Sequence, residues 1–265
     1  MKATEIIPLS IRKWYHRFHW FARHFSKIKK NSKLLSGHFH GPIVYDADGM
    51  TISQNSDFIG EGRFARAYEA AASTNPWKGF SSHWRVYIIC KMAERAMMVR
   101  GDFVECGVNT GAYAKAIITY MDFNISEKTF FLFDTFDGLD MNQVSEEELA
   151  SGVNRYIDKY KGTLDSVKKT FEGDRVRIIP GIVPDTLSQC ESEQIAFLSI
   201  DMNCVAPEIA ALTYFYPKMV KGGIIVLDDY GFPKHIHQKK AFDRFAAEHR
   251  ISILSLPTGQ GIIFV

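Results

Sequence analysis

Several features that would identify a functional class at once are missing from this 265-residue sequence. The four cysteines, Cys90, Cys106, Cys190 and Cys204, form no CxxC pair and no metal-finger spacing. Most of them lie in apolar runs, so we expect reduced, mostly buried thiols. No apolar run reaches the roughly 18–20 residues of a membrane span, and the first residues contain no signal-peptide hydrophobic region. These absences predict a cytoplasmic protein.

Positive charge is scarce outside the first forty residues. Residues 1–40 contain nine Lys or Arg and one acid, Glu5, whereas the remainder holds 23 basic and 29 acidic residues. Within residues 11–30 four aromatic side chains recur at helical spacing among basic ones, namely Trp14, Phe18, Phe21 and Phe25. We predict a basic helix that docks its aromatic face on the body or on a second subunit in a homodimer. The alternative is peripheral contact with an anionic inner-membrane surface. No nucleic acid is expected, because no other basic patch supports it.

The order of apolar and helical segments predicts the fold. Residues 1–60 read as a basic aromatic helix followed by a linker, and residues 61–265 as the main domain. After Arg100, short apolar strands alternate with helical segments, which predicts an α/β fold with a Rossmann-like, doubly wound, mostly parallel sheet. The last two apolar runs, separated by "PTGQ", predict a C-terminal antiparallel hairpin.

The first strand of this domain runs into a glycine turn, "VECGVNTGAYA". Gly107 and Gly111 permit a tight strand-to-helix turn and the close approach of a ligand. The turn is neither GxGxxG, because position 109 is Asn, nor a phosphate loop, because GK[ST] is missing. Glu105 beside it would repel a pyrophosphate and suits a cationic cofactor better.

The second strand ends at Asp134 in "FLFDTF", with Thr135 next to it. An acid at this strand end can accept hydrogen bonds from ribose hydroxyls. Together, this strand end and the glycine turn predict an adenosine-containing cofactor, held by residues that include Glu105, Gly107, Asn109, Gly111, Asp134 and Thr135.

Three further carboxylates follow two later strands. Asp201 ends "FLSID", and Asp228 and Asp229 end "IIVLDD". Carboxyl ends of neighbouring parallel strands share one edge of the sheet. Oxygen ligands of this kind favour Mg²⁺ or another hard divalent cation. The alternative is that these aspartates cap helices or pair with Lys and Arg.

Several of these motifs resemble one known family. The segments "GDFVECGVNTGAYAKAI", "FDTFDGL", "SID", "YPKMVKGGIIVLDDYG" and "QKKAFDRF" resemble the macrocin O-methyltransferase family, over residues 78–265. Its members are class I S-adenosylmethionine-dependent methyltransferases that modify sugar hydroxyls, several with a divalent metal.

The resemblance implies a seven-strand sheet, S-adenosylmethionine at the glycine turn, and a metal on Asp201, Asp228 and Asp229. The segment "GFSSHWR" resembles a stretch that folds over the cofactor, so Ser81, Ser82 and Arg85 are candidate contacts of its carboxylate; the alternative is that Ser82 caps a helix.

One position departs from the family pattern. Where many members have D-x-D-x-Y after the fourth strand, this chain reads "DMNCV", with Asn203 and Val205. The expected activity is O-methylation of a sugar or glycosylated metabolite, with Asp201, Asp229 and His237 as candidate general bases. Cofactor contact by Asp201 is also expected. Two other readings stay open: an NAD-dependent oxidoreductase, and a non-catalytic binding protein docked through its N-terminal helix.

Overall fold

The structure, a computed structural model, describes residues 43–153 and 160–265. The basic aromatic segment 11–30, with its predicted dimer or membrane contact, lies outside these residues. The described chain divides into two units: residues 43–46 with 51–55, and residues 47–50 with all that follow position 55. No described helix combines the length and apolar character needed to cross a bilayer.

The segment predicted to be an irregular linker contains two short strands, β1 (Tyr45–Ala47) and β2 (Met50–Ile52). In the smaller unit the Thr51 hydroxyl donates to Asp46 Oδ1 over 2.7 Å. The turn "DG" between the strands is the only sequence signal for this hairpin, and three-residue strands are too short to show an apolar alternation.

The larger unit alternates helices with strands as predicted. Its helices are α1 (Gly62–Ser73), α2 (His83–Ala96), α3 (Ala112–Met121), α4 (Glu146–Ala150), α5 (Leu164–Thr170), α6 (Val205–Phe215) and α7 (Ile236–His249). Its strands are β3 (Asp102–Cys106), β4 (Phe130–Asp134), β5 (Val176–Pro180), β6 (Ile195–Ile200), β7 (Met219–Leu227), β8 (Leu254–Ser255) and β9 (Gly261–Phe264).

These seven strands form one sheet in the order β5-β4-β3-β6-β7-β9-β8. The first five are parallel, and β9 runs antiparallel to both β7 and β8. The predicted sheet and its terminal antiparallel pair are therefore confirmed. All six residues of β6 are buried, because helices cover both faces of a parallel sheet. Two apolar clusters fill the space on either side of it.

The strand order also positions a crevice. From β3 the chain builds outward through β4 and β5, then returns to place β6 on the other side of β3. Ligands of open α/β sheets bind beyond the carboxyl ends of the strands at such a reversal. The residues that follow β3 and β6 therefore face the place where a ligand is expected.

Candidate active site

A cavity of about 310 Å³ lies at the carboxyl ends of the central strands. Nine of the predicted cofactor, metal and base residues line it, and so does Asn203; the nine are Arg85, Glu105, Gly107, Asn109, Asp134, Thr135, Asp201, Asp228 and Asp229. Four do not: Ser81, Ser82, Gly111 and His237. The cavity thus brings together both strand-end motifs, the glycine turn and the acidic residues.

The two glycines of the turn have a structural cause. Gly107 and Gly111 both adopt a left-handed backbone, with φ of 92° and 85°. A Cβ on Gly107 would overlap the carbonyl group of Asp201, and one on Gly111 would lie 2.5 Å from the Phe171 ring. Their small size therefore lets the protein pack against itself here, as well as forming the turn.

The carboxylate of Asp134 holds the glycine turn in place. Its Oδ2 accepts the backbone N–H groups of Val108 over 2.6 Å and Asn109 over 2.8 Å. Its Oδ1 accepts the N–H of Phe136 over 2.7 Å. Burial raises the pKa of Asp134, although these amide bonds oppose the shift. An ionised carboxylate has about four acceptor positions, and the fourth is filled only by the Thr135 hydroxyl over a long 3.4 Å, so a ribose hydroxyl could take that place.

Glu105 is a cavity residue with one carboxylate oxygen that lacks a hydrogen-bond partner. The side chain is 2% exposed, and its Oε2 has no hydrogen-bond partner within residues 43–153 and 160–265. Burial raises the pKa of Glu105 well above 4.5, and the nearby charges of Asp201 and Asp134 raise it further. A buried acid without a partner is costly, and a cationic ligand in the cavity would relieve that cost.

Three aspartates, Asp201, Asp228 and Asp229, lie together and are called the acidic cluster. One carboxylate oxygen from each lies within 4.8 Å of the others. Burial raises the pKa of Asp201 to about 7, and the adjacent charge of Asp229 adds to the shift. Like charges at this spacing destabilise each other unless a cation lies among them.

The side chain of Arg85 lies beside the cluster. The Arg85 guanidinium donates through Nη2 to Asp228 Oδ2, and the same Nη2 lies 3.6 Å from Asp229 Oδ1. Its Nη1 lies 4.0 Å from Asp48 Oδ1. Within the described chain the partners of Arg85 are therefore aspartates, and its contact with a cofactor carboxylate stays a prediction.

The loop after β6 shows what the unusual "DMNCV" does. Asn203 adopts a left-handed backbone, with φ of 57°, and its Nδ2 donates to Asp201 Oδ1 over 3.4 Å. The buried Glu208 accepts the N–H of Met202 over 3.0 Å. The amide at position 203 thus adds a donor to the cluster, where an acid would add a charge.

The structure distinguishes the two histidines near the aspartate pair. His235, in the short turn Pro233–His235, places Nε2 3.2 Å from Asp229 Oδ2 and Nδ1 2.8 Å from Gln238 Nε2. His237 instead places Nε2 3.1 Å from Ser151 Oγ, away from the cavity wall. His235 is therefore the histidine that neighbours the acidic cluster. The role of His237 as a general base stays a prediction, and His237 does not line the cavity.

The serines before α2 likewise lie outside the cavity. Ser82 occupies the position before the first turn of the helix, without a capping hydrogen bond from its side chain, and is 1% exposed. The capping role of Ser82 therefore has no hydrogen bond behind it, and its cofactor role stays a prediction.

The architecture and these side chains can now be compared with known proteins. The sequence model of the family "Macrocin-O-methyltransferase (TylF)" matches residues 88–254, which is more than half of the chain. The chain belongs to this family. The match contains β3 to β7 and every member of the acidic cluster.

Curated relatives are distant but agree with this membership. Mycinamicin III 3''-O-methyltransferase of Micromonospora griseorubida is 26% identical over 168 residues, 58% of this chain and 63% of the relative. Demethyldecarbamoylnovobiocin O-methyltransferase of Streptomyces niveus is 28% identical over 144 residues, 50% of this chain and 53% of the relative. The chain thus spans less than two thirds of the length of each.

Two solved structures share the fold of this family member. The O-methyltransferase NovP aligns with a TM-score of 0.57 at 23% identity, over 68% of this chain and 78% of its own. The calicheamicin methyltransferase CalS11 aligns with a TM-score of 0.58 at 14% identity, over 86% of this chain and 99% of its own. At these identities the likeness concerns the fold.

Sequence reasoning missed several residues of the cavity. Asp48, Trp77, Tyr113 and Lys234 line it. Tyr113 follows the glycine turn by two positions, so helical geometry could have found it. Asp48 and Trp77 come from segments far upstream with no local motif, and only the folded chain brings them to the strand ends.

Proposed function

We propose that this protein is an S-adenosylmethionine-dependent O-methyltransferase that acts on a hydroxyl of a sugar or glycosylated metabolite, assisted by a divalent cation. The observation that carries the proposal is the pairing of two features in one cavity: the buried Glu105, whose Oε2 has no hydrogen-bond partner in the described chain, and the acidic cluster. Family membership supports the same chemistry.

The residues around the glycine turn fit S-adenosylmethionine. The cofactor is cationic, and its charge would favour the ionised form of the buried Glu105 carboxyl, whose Oε2 lacks a partner in the described chain. Asp134 and Thr135 line the cavity next to the turn and offer acceptors for ribose hydroxyls. When bound, this cofactor supplies an activated methyl group, whose transfer to a hydroxyl oxygen leaves S-adenosylhomocysteine and one proton. The chain's contribution is orientation of the two reactants.

The acidic cluster fits a hard divalent cation. Its oxygens lie within 4.8 Å of one another, and Arg85 balances only part of their charge. Carboxylate oxygens are the ligands that Mg²⁺ prefers. When bound, such a cation supplies a Lewis acid that orients an acceptor hydroxyl and lowers its pKa.

The proton of the acceptor hydroxyl would pass to a carboxylate of the cluster. Asp201 and Asp229 both line the cavity and are within reach of an acceptor bound there. A general base must lie within hydrogen-bond distance of the proton that it takes. The neighbouring wall, which includes Gln143, Tyr160 and Asn203, is the part left for the acceptor.

The names of two relatives support the proposed acceptor class. One is named for a 3''-O-methylation of mycinamicin III, and another for 4'-O-methylation of a rhamnosyl-tetracenomycin. A sugar hydroxyl is the acceptor that we infer for this chain by analogy.

The test is a methyl-transfer assay with labelled S-adenosylmethionine, Mg²⁺ and a panel of nucleotide sugars and glycosides, read by mass spectrometry. We expect one acceptor to gain a labelled methyl group on oxygen, and this product to disappear in excess chelator. Product formation that is unchanged in chelator would remove the metal from the proposal. Binding of NAD in place of S-adenosylmethionine would favour an oxidoreductase.

A further inference from the structure

The three members of the acidic cluster do not have equal surroundings. Asp228 is 1% exposed, and both of its carboxylate oxygens are occupied. Oδ2 accepts from Arg85 Nη2 and, over 3.3 Å, from the Tyr113 hydroxyl. Oδ1 accepts from Gln260 Nε2 over 3.1 Å. Three donors from three different segments therefore satisfy this one carboxylate.

Its donors are themselves held in place. Gln260 is fully buried, accepts the Thr258 hydroxyl through Oε1 over 3.0 Å, and donates to the Arg85 carbonyl over 3.4 Å. Gln260 belongs to the turn before β9, so Asp228 ties the C-terminal hairpin to α2 and α3. Breaking such a buried, charge-assisted network is costly because it leaves an unpaired charge.

Asp201 and Asp229 are less occupied. Asp201 Oδ1 accepts the Asn203 amide over a long 3.4 Å. Asp229 has a side chain that is 11% exposed, with His235 at 3.2 Å from Oδ2 and Arg85 at 3.6 Å from Oδ1. These two carboxylates keep acceptor capacity toward the cavity, and Asp228 has much less.

We infer that Asp228 and Arg85 form a permanent structural ion pair, and that a divalent cation at this site is held through Asp201 and Asp229. This rests on the proposed metal-assisted function and differs from the set of three ligands that the sequence suggests. Arg85 is a positioning residue: it neutralises Asp228 by direct hydrogen bonding and stays at the longer distance of 3.6 Å from Asp229 Oδ1.

Four variants separate the two roles, with Mn²⁺ as the probe and its free concentration followed by electron paramagnetic resonance. The decisive pair is Arg85→Gln with Asp228→Asn, and Arg85→Gln with Asp229→Asn. Both double variants carry the same formal charge and differ only in which carboxylate is left. The single variants Asp228→Asn and Arg85→Gln complete a cycle for the ion pair.

The first double variant should bind Mn²⁺ within about threefold of the wild type, because the neutral pair keeps the shape of the ion pair. The second should lose at least about tenfold in affinity, as expected when a ligand is removed. Asp228→Asn alone should also weaken binding, because the unpaired Arg85 then turns to Asp229. Adding Arg85→Gln should restore it. Circular dichroism checks that each variant folds. If the first double variant does not fold, the double variant Arg85→Met with Asp228→Leu replaces it.

An equal loss of Mn²⁺ affinity in both double variants, without rescue of Asp228→Asn by Arg85→Gln, would show that Asp228 is a ligand. That result would overturn this inference and leave metal assistance intact. Absence of saturable Mn²⁺ binding to the wild type would overturn the metal assistance and the inference together. Near wild-type Mn²⁺ affinity in the first double variant, together with weakened affinity in the second, supports both the metal assistance and the inference.

Discussion

Glu105→Gln tests the cationic-cofactor site most sharply, because it removes one charge and preserves size. Two opposite unit charges about 6 Å apart at an effective dielectric constant of about 20 attract by roughly 3 kcal/mol. Part of this is offset, because the raised pKa of Glu105 means that ionising the buried carboxyl is itself costly. We therefore expect a loss of about 1–3 kcal/mol, which is about 5- to 150-fold in affinity.

The assay is isothermal titration calorimetry with S-adenosylmethionine and with S-adenosylhomocysteine. The two share an ammonium group, and only the first carries a sulfonium. A loss confined to the first assigns the Glu105 charge to the sulfonium, and an equal loss in both assigns it to the ammonium. Glu208→Gln is the matched control, since Glu208 is as buried and does not line the cavity. Unchanged affinity of Glu105→Gln for both ligands would refute the reasoning.

Four further outcomes are expected. Because the folded state raises the pKa of Glu105 above 4.5, it holds that proton more tightly than the unfolded state, so the ligand-free wild type loses stability as pH rises from about that value. Thermal unfolding should accordingly find Glu105→Gln more stable than the wild type at pH 8 but not at pH 4, and a constant difference would contradict this. Asp134→Ala should weaken S-adenosylmethionine binding by about 1–3 kcal/mol in calorimetry, and should also increase hydrogen exchange at the amides of Val108 and Asn109. Unchanged binding and exchange would contradict the role of Asp134 in holding the glycine turn. Gly107→Ala should lower the free energy of unfolding in urea by more than about 3 kcal/mol. Gly79→Ala, where φ is 78° and an added Cβ would meet open space, should lower it by only about 1–2 kcal/mol. Similar losses would mean that the Asp201 carbonyl adjusts. Asp229→Asn should abolish the methyl transfer that Mg²⁺ supports. Methyl transfer by this variant that is still lost in chelator would exclude Asp229 as a ligand.

The sheet was predictable because its signals are local. Each central strand is a short apolar run that ends in an acid or a glycine, and the helices between them have clear apolar faces. Parallel strands place their carboxyl ends at one edge, so Glu105, Asp134, Asp201 and Asp229 could be expected in one cavity from the order of the strands. The number of seven strands came through the family resemblance, and the order of the strands came from the structure.

The partners of these residues could not be predicted in the same way. Arg85 meets Asp228 across 143 positions of the chain, and Gln260 reaches Asp228 from the last turn. Such contacts depend on side-chain packing in the folded state, which no local period encodes. For the same reason, sequence reasoning favoured His237, while the turn at Pro233–His235 brings His235 to Asp229.

The roles of the glycines illustrate a second limit. A glycine at a strand-to-helix turn predicts room for a ligand, yet Gly107 and Gly111 accommodate Asp201 and Phe171. Composition alone cannot distinguish a ligand from the protein's own backbone as the closely approaching group.

The most direct test of the account is a calorimetric comparison of S-adenosylhomocysteine with NAD on the wild-type protein. The account predicts saturable binding of S-adenosylhomocysteine at one site per chain and no binding of NAD. Binding of NAD together with a failure to bind S-adenosylhomocysteine would contradict it.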